Sequence, residues 1–233
     1  MNAFERRLSS AVADELGFLS SHGFRLSSSD DAQGMTITMT GPDFALEFRL
    51  EDDAMSSAFV PLVQGGVPGY FDASGRELLD RVPLDFVLTE LSRGLPPEDP
   101  IRATKLTPQH QLTRSAGLIR NHLAPFLSSW RDLYQRARER ALRESSAWAM
   151  EEWASHVERL RRGEPVNEIQ LSAAANARRQ LGDALDELAS EELRAALDPL
   201  DRDFERLTKP IGSGRRLMPP SQALKWWREP LDR

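Results

Sequence analysis

The chain has no cysteine, which excludes disulfides, thiolate metal sites and cysteine nucleophiles together and suits a reducing compartment. Histidine is almost as scarce: His22, His110, His122 and His156 are the full set. None of them forms H-E-x-x-H or another metal-ligand spacing, and no serine occupies a G-x-S-x-G elbow. Phosphate loops of the G-x-x-x-x-G-K-[ST] kind and G-x-G-x-x-G fingerprints are missing too. The expectation is no metal, no cofactor and no assigned catalytic residue. Long apolar runs are also lacking, and none nears the roughly 20 residues that a membrane-spanning helix needs. The opening "MNAFERRLSSAVADELGF" is interrupted by Glu5, Arg6, Arg7, Asp14 and Glu15, so it lacks the apolar centre of a signal peptide. A cytoplasmic protein that makes no membrane contact is expected.

Lysine is the last shortage, since arginine supplies 27 of the 30 basic residues. Charge is unevenly spread: residues 1–100 hold 7 Lys+Arg against 17 Asp+Glu, or −10, and residues 101–233 hold 23 against 19, or +4, which together make the net −6. Such asymmetry points to two regions with different neighbours and speaks to association, not to fold.

The first hundred residues mix two periodicities. Phe4, Leu8, Ala11, Val12, Leu16 and Leu19 recur at helical steps over 3–19, whereas "MTITMT" (35–40) and "FALEFRLE" (44–51) alternate apolar and polar residues. The intervening "TGPD" is a turn signal, so these two form an antiparallel hairpin. "GFRLS" and "AFVPLV" (58–63) are further strands, with Pro61 marking an edge or an end. A glycine-rich turn follows, and then "VPLDFVLTELSRG" (82–94) is a short helix with proline in its first turn. The expected fold class is α+β: an N-terminal helix and small antiparallel meander over 1–94, then a mainly α-helical region over 101–233. "GLPPEDP" (94–100) is the expected boundary.

In the second region, Thr107 caps a helix that has Pro108 at its first position, and Pro125 should kink or divide that helix. A long helix is expected over about 126–162, with Trp130, Tyr134, Ala137, Ala141, Trp148 and Trp153 near one side. Further helices are expected at 168–188, 190–197 and 199–208, the last opened by Asp198-Pro199, followed by a Trp-bearing C-terminal segment.

Four arginines fall in eight positions of "LYQRARERALRE" (133–144), which raises nucleic-acid binding. Yet Asp132–Arg136, Glu139–Arg143 and Arg140–Glu144 stand four apart, the spacing of helix-surface ion pairs. Over 131–144 the excess is five arginines against three acids, +2, and phosphate affinity needs a larger surplus. An exposed helix face is the better reading. The alternative is a nucleic-acid patch of Arg136, Arg140, Arg161, Arg162, Arg215 and Arg216. "IGSGRR" is read as a linker in preference to an anion cradle.

"PDFALEFR" has the residue types of a metal-dependent nuclease site in Asp43, Glu47 and Arg49. On one strand, however, Asp43 and Arg49 stand about 20 Å apart, and the same parity puts all three opposite Phe44, Leu46 and Phe48. A half-exposed strand is expected there. The acids Asp30, Asp31, Asp43, Glu47, Asp52 and Asp53 lack the alternating spacing of a calcium loop; they solubilise the module and match a basic partner. Trp226 and Trp227 differ by about 100° on a helix, so one docks on the chain and the other is open to a partner. The functional expectation is a non-enzymatic protein-interaction module, such as an adaptor, a chaperone or an immunity-type inhibitor of a basic partner.

Overall fold

The computed structural model describes residues 3–31, 34–51, 54–70, 80–92, 107–210 and 228–230. Its architecture is α+β, with an N-terminal helix and a five-stranded antiparallel sheet followed by a mostly helical region. The chain divides into two compact units, Met1–Ala141 and Leu142–Arg233.

In the first unit, α1 (Ala3–Leu16) runs into a 3-10 turn, Gly17–His22. Gly23, at φ 86°, ends that turn in a left-handed conformation that glycine adopts without steric cost. The strands β1 (Arg25–Asp31), β2 (Gly34–Thr40), β3 (Phe44–Glu51), β4 (Ala54–Pro61) and β5 (Val82–Pro83) pair in chain order. Ile37 opposite Phe48 and Leu46 opposite Phe59 set the register, so one face carries Met35, Ile37, Met39, Phe44, Leu46, Phe48 and Phe59, all buried. A one-residue slip would turn this set to the other face. The fourth strand begins before the expected residue 58 because all eight residues of β3 find partners, from Phe44–Pro61 to Glu51–Ala54. Gly41 is required by a close approach: a Cβ there would lie 2.5 Å from the Phe24 ring.

The helices α2 (Leu84–Leu91), α3 (Pro108–Asn121), α4 (Leu123–Ser128) and the start of α5 (Trp130–Arg162) share this core. Val82 joins the sheet opposite Phe59, so the expected helix at 82 starts two residues later. Thr107 caps α3 as expected, its hydroxyl accepting from the His110 amide. Pro125 divides the helical run at His122, because the proline ring would meet the carbonyl four residues earlier, at Asn121. Phe126 then stands edge-on to Phe44 at 5.4 Å and to Phe59 at 6.0 Å. The core therefore continues well past residue 94. The compact units divide at 141/142, not at the expected breaker, whose residues 94–100 lie outside the described residues.

In the second unit, the rest of α5 packs with α6 (Glu168–Leu188) and α7 (Glu191–Leu207), and Thr208–Pro210 (β6) pairs with Arg228–Pro230 (β7). Asn167 and Gln170 close a reciprocal capping box at the start of α6, and Ser190 caps α7. Two helical expectations are corrected. The helix α7 runs unbroken through Pro199, since Leu193, Leu197, Leu200, Phe204 and Leu207 form one apolar stripe whose burial offsets the missing hydrogen bond. Trp148 is 58% exposed: the buried stripe is Ala149, Trp153, Val157 and Leu160, and Trp148 lies about 100° from Ala149.

Candidate functional site

Both hairpin turns, at 31–34 and 51–54, lie at the same end of the sheet, because Asp31 pairs with Gly34 and Met35 with Leu50. Asp30 and Asp31 on the edge strand and Glu51 two strands inward are therefore about 10 Å apart across the sheet. Asp52 and Asp53 lie outside the described residues. Asp43 precedes β3 at the opposite end, exposed, with an Arg131 guanidinium nitrogen 3.9 Å away. The expected acidic set is thus split between the two ends.

Glu47 leaves that set. Its strand parity is as expected, but the second sheet face is covered here: Ala45 and Val60 are fully buried, and the Glu47 side chain is 7% exposed. Arg81 Nε donates to Glu47 Oε2 at 2.7 Å and Nη2 to Oε1 at 3.2 Å. The same guanidinium donates to the Pro68 and Gly69 carbonyls and lies 3.7 Å from the centre of the Tyr70 ring. A carboxylate held in a two-pronged pair with its charge buried is a structural clamp. It offers nothing to a partner, and the half-exposed strand expected here is covered on both sides at its middle. No short-range signal links positions 47 and 81, so the sequence alone did not reveal the pair.

The arginines of the alternative patch have carboxylate or aromatic neighbours wherever they are described. Arg136 Nε donates to buried Glu90 at 3.1 Å, a partner 46 residues away. The Arg140 guanidinium lies 6.0 Å from the Phe86 ring centre. Arg161 pairs with Asp203 and Glu158, and Arg162 with Glu158 and Glu164. Hydrogen bonds from Arg161, then Arg206, hold the Asp203 carboxyl below its ordinary range. Those from Arg161 and Arg162 do the same for Glu158. Arg215, Arg216, Trp226 and Trp227 lie outside the described residues.

The second unit has a polar constellation that the sequence did not announce. Asp201 on α7 accepts from Arg178 of α6 at 2.7 and 2.9 Å and from the Trp153 indole of α5 at 3.1 Å, tying three helices through one carboxylate. His156, one turn beyond Trp153, is 4% exposed and stacks 5.7 Å from that indole. Its Nε2 is buried without a hydrogen-bond partner among the described residues. Burial, then the nearby Arg159 charge, lowers its pKa to about 4. A neutral, enclosed imidazole is packing. Among the described residues, no group of three or more histidines and acids converges as a metal site, and no helix is long and apolar enough to cross a membrane.

Comparison with family models, curated proteins and solved structures finds no match for the chain.

Proposed function

We propose that the protein is a non-enzymatic interaction module of the cytoplasm, an adaptor, chaperone or immunity-type inhibitor, that binds a basic protein at the acidic end of its sheet. The observation that carries this reading is the hairpin register, which puts Asp30, Asp31 and Glu51 at the same end of the sheet. Acidic residues at one end of a sheet raise encounter rates with a cationic surface and select against acidic ones. The alternative, nucleic-acid binding by the helical region, is weaker, because Arg136, Arg161 and Arg162 already face carboxylates within the chain. That internal pairing lowers the share of cations open to phosphate, on whose neutralisation affinity depends.

The test is affinity purification from the source cells with and without nuclease, run in parallel with an Asp30→Lys/Asp31→Lys/Glu51→Lys variant. A stoichiometric basic protein that survives nuclease and is lost from the variant supports the proposal. Equal capture by the variant sinks the acidic surface. Loss of all partners on nuclease treatment assigns the arginines to nucleic acid instead.

A further inference from the structure

β1 is the open edge of the five-stranded sheet. All seven of its residues pair with β2 in unbroken register, from Arg25–Thr40 to Asp31–Gly34, with no bulge and no proline. Natural edge strands are usually shortened, kinked or covered, because a straight edge presents a row of unpaired backbone N–H and C=O groups to another strand. Among the described residues β1 has no bulge and no proline, and its charges are Arg25 at one end and Asp30 and Asp31 at the other. Arg25, Leu26, Ser27, Ser28 and Ser29 are all exposed, and Leu26, 40% exposed, shares its sheet face with Ile37 and Met39. Ser27 Oγ donates to the Thr38 carbonyl, again toward β2.

Reversed on itself, the edge sequence "RLSSSDD" sets Arg25 opposite Asp31 at both ends, with Leu26 opposite Asp30 between them and the serines. We propose that β1 pairs antiparallel with β1 of a second copy of this chain, about a two-fold axis at Ser28, to give a continuous sheet across a symmetric dimer. In that register Ser28 meets Ser28, Ser27 meets Ser29, and Arg25 of each copy stands opposite Asp31 of the other. Opposite charges facing each other across an antiparallel pair stabilise it, and like charges destabilise it. A shift of two residues leaves both arginines without an acid opposite and shortens the ladder, so the full-length register is also the one that matches charge. Parallel pairing is disfavoured because it would set Asp30 and Asp31 against their own copies. The net negative charge of the region opposes association at long range, but that repulsion is screened beyond about 8 Å at physiological salt, whereas facing residues are closer. Symmetric two-fold pairing of identical surfaces is the commonest solution for soluble oligomers. This inference does not rest on the basic-partner reading and is tested on the purified chain alone.

The experiment is sedimentation equilibrium of the full chain over a concentration series. It compares the wild type with Arg25→Asp, Asp31→Arg and the Arg25→Asp/Asp31→Arg double variant, all at positions of the edge strand and checked for unchanged circular dichroism. A reversible dimer is expected, weakened about tenfold or more by either single reversal, because two attractive pairs become two repulsive ones. The double variant should restore association, because the pairs re-form with their signs exchanged. In the same series, Ser28→Cys introduces the chain's sole thiol. Directly paired strand residues have Cα atoms about 4.5–5.5 Å apart, within disulfide reach, so mild oxidation should yield a covalent dimer at position 28 and far less at a control Ser20→Cys. A wild type that stays monomeric at the highest concentration overturns the proposal. So does a dimer that is indifferent to both reversals and uncrosslinked at position 28, since it would use another surface.

Discussion

The two units fill their cores by different means. The sheet unit packs large rings, with Phe24, Phe44, Phe59, Phe126, Trp130 and Tyr134 in mutual contact. The helical unit packs small residues, Ala149, Ala174 and Ala177, around Trp153 and Phe204. Each has an arginine–carboxylate pair near its interior: Glu47–Arg81 in the first, Asp201–Arg178 in the second. The partners of each pair differ in kind. Arg81 uses its remaining donors on loop carbonyls and so pins a strap over the sheet, whereas Asp201 uses its remaining lone pairs on a neighbouring helix. A sheet needs its second face covered; a helical bundle needs its rotations and offsets locked. In each unit the charged pair serves the packing problem that its hydrophobic pattern leaves open.

The strongest way to break this comparison is to remove one ring from each core. Phe59→Ala and Trp153→Ala should each cost about 3–5 kcal/mol. Amide exchange should accelerate mainly in the unit that carries the substitution, and acceleration of equal size in both would show that the cores are not separate. Removing one acid is next. Glu47→Ala strands Arg81 and should cost about 3 kcal/mol, and Asp201→Ala somewhat less because its site is more open. Chemical denaturation measures both. An Arg81→Met/Glu47→Leu double variant should recover much of the first loss, because it removes the stranded charge.

Acid should distinguish the units further. His156 has a folded pKa of about 4 against an ordinary 6.5, so the unfolded chain takes up the proton more readily. Its contribution is complete above about pH 6.5 and is lost as pH falls to 4, at most about 3 kcal/mol. The Asp203 and Glu158 carboxyls, held low by their arginines, lose their contribution in the same direction as they protonate. Denaturation midpoints of His156→Leu should be flatter than wild type between pH 6.5 and 4; an unchanged slope would refute the assignment. A smaller and opposite effect is expected at Pro199. Because α7 continues through it, Pro199→Ala should stabilise the helical unit by about 1–2 kcal/mol, after allowing for the greater freedom of the unfolded chain. Smallest of all, Arg162→Ala, at an exposed helix end, should change stability by less than about 0.5 kcal/mol.

What was legible in the sequence follows from the range of the forces involved. Period-two alternation in 35–40 and 44–51, the Thr107-Pro108 cap and the Asn167 and Ser190 boundaries are encoded within a few residues, and each element appears where its local signal lies. The long helix was legible for the same reason, while its buried stripe was not, because residues 100° apart on one helix are told apart only by what packs against them. Pro199 illustrates the limit: its local meaning is a break, and the stripe from Leu193 to Leu207 overrides it. The candidate site divides in the same way. The acidity of Asp30, Asp31 and Asp43 is a property of composition. That Asp30 and Asp31 share a sheet end with Glu51, that Glu47 is clamped by Arg81, and that Arg136 reaches Glu90 depend on strand register and on contacts 34 and 46 residues apart. By itself the sequence determined the elements and their charge. Only the tertiary structure decided which charges meet each other and which strand stands at the edge of the sheet, because ion pairs and strand pairing depend on distance in space, to which spacing along the chain is no guide.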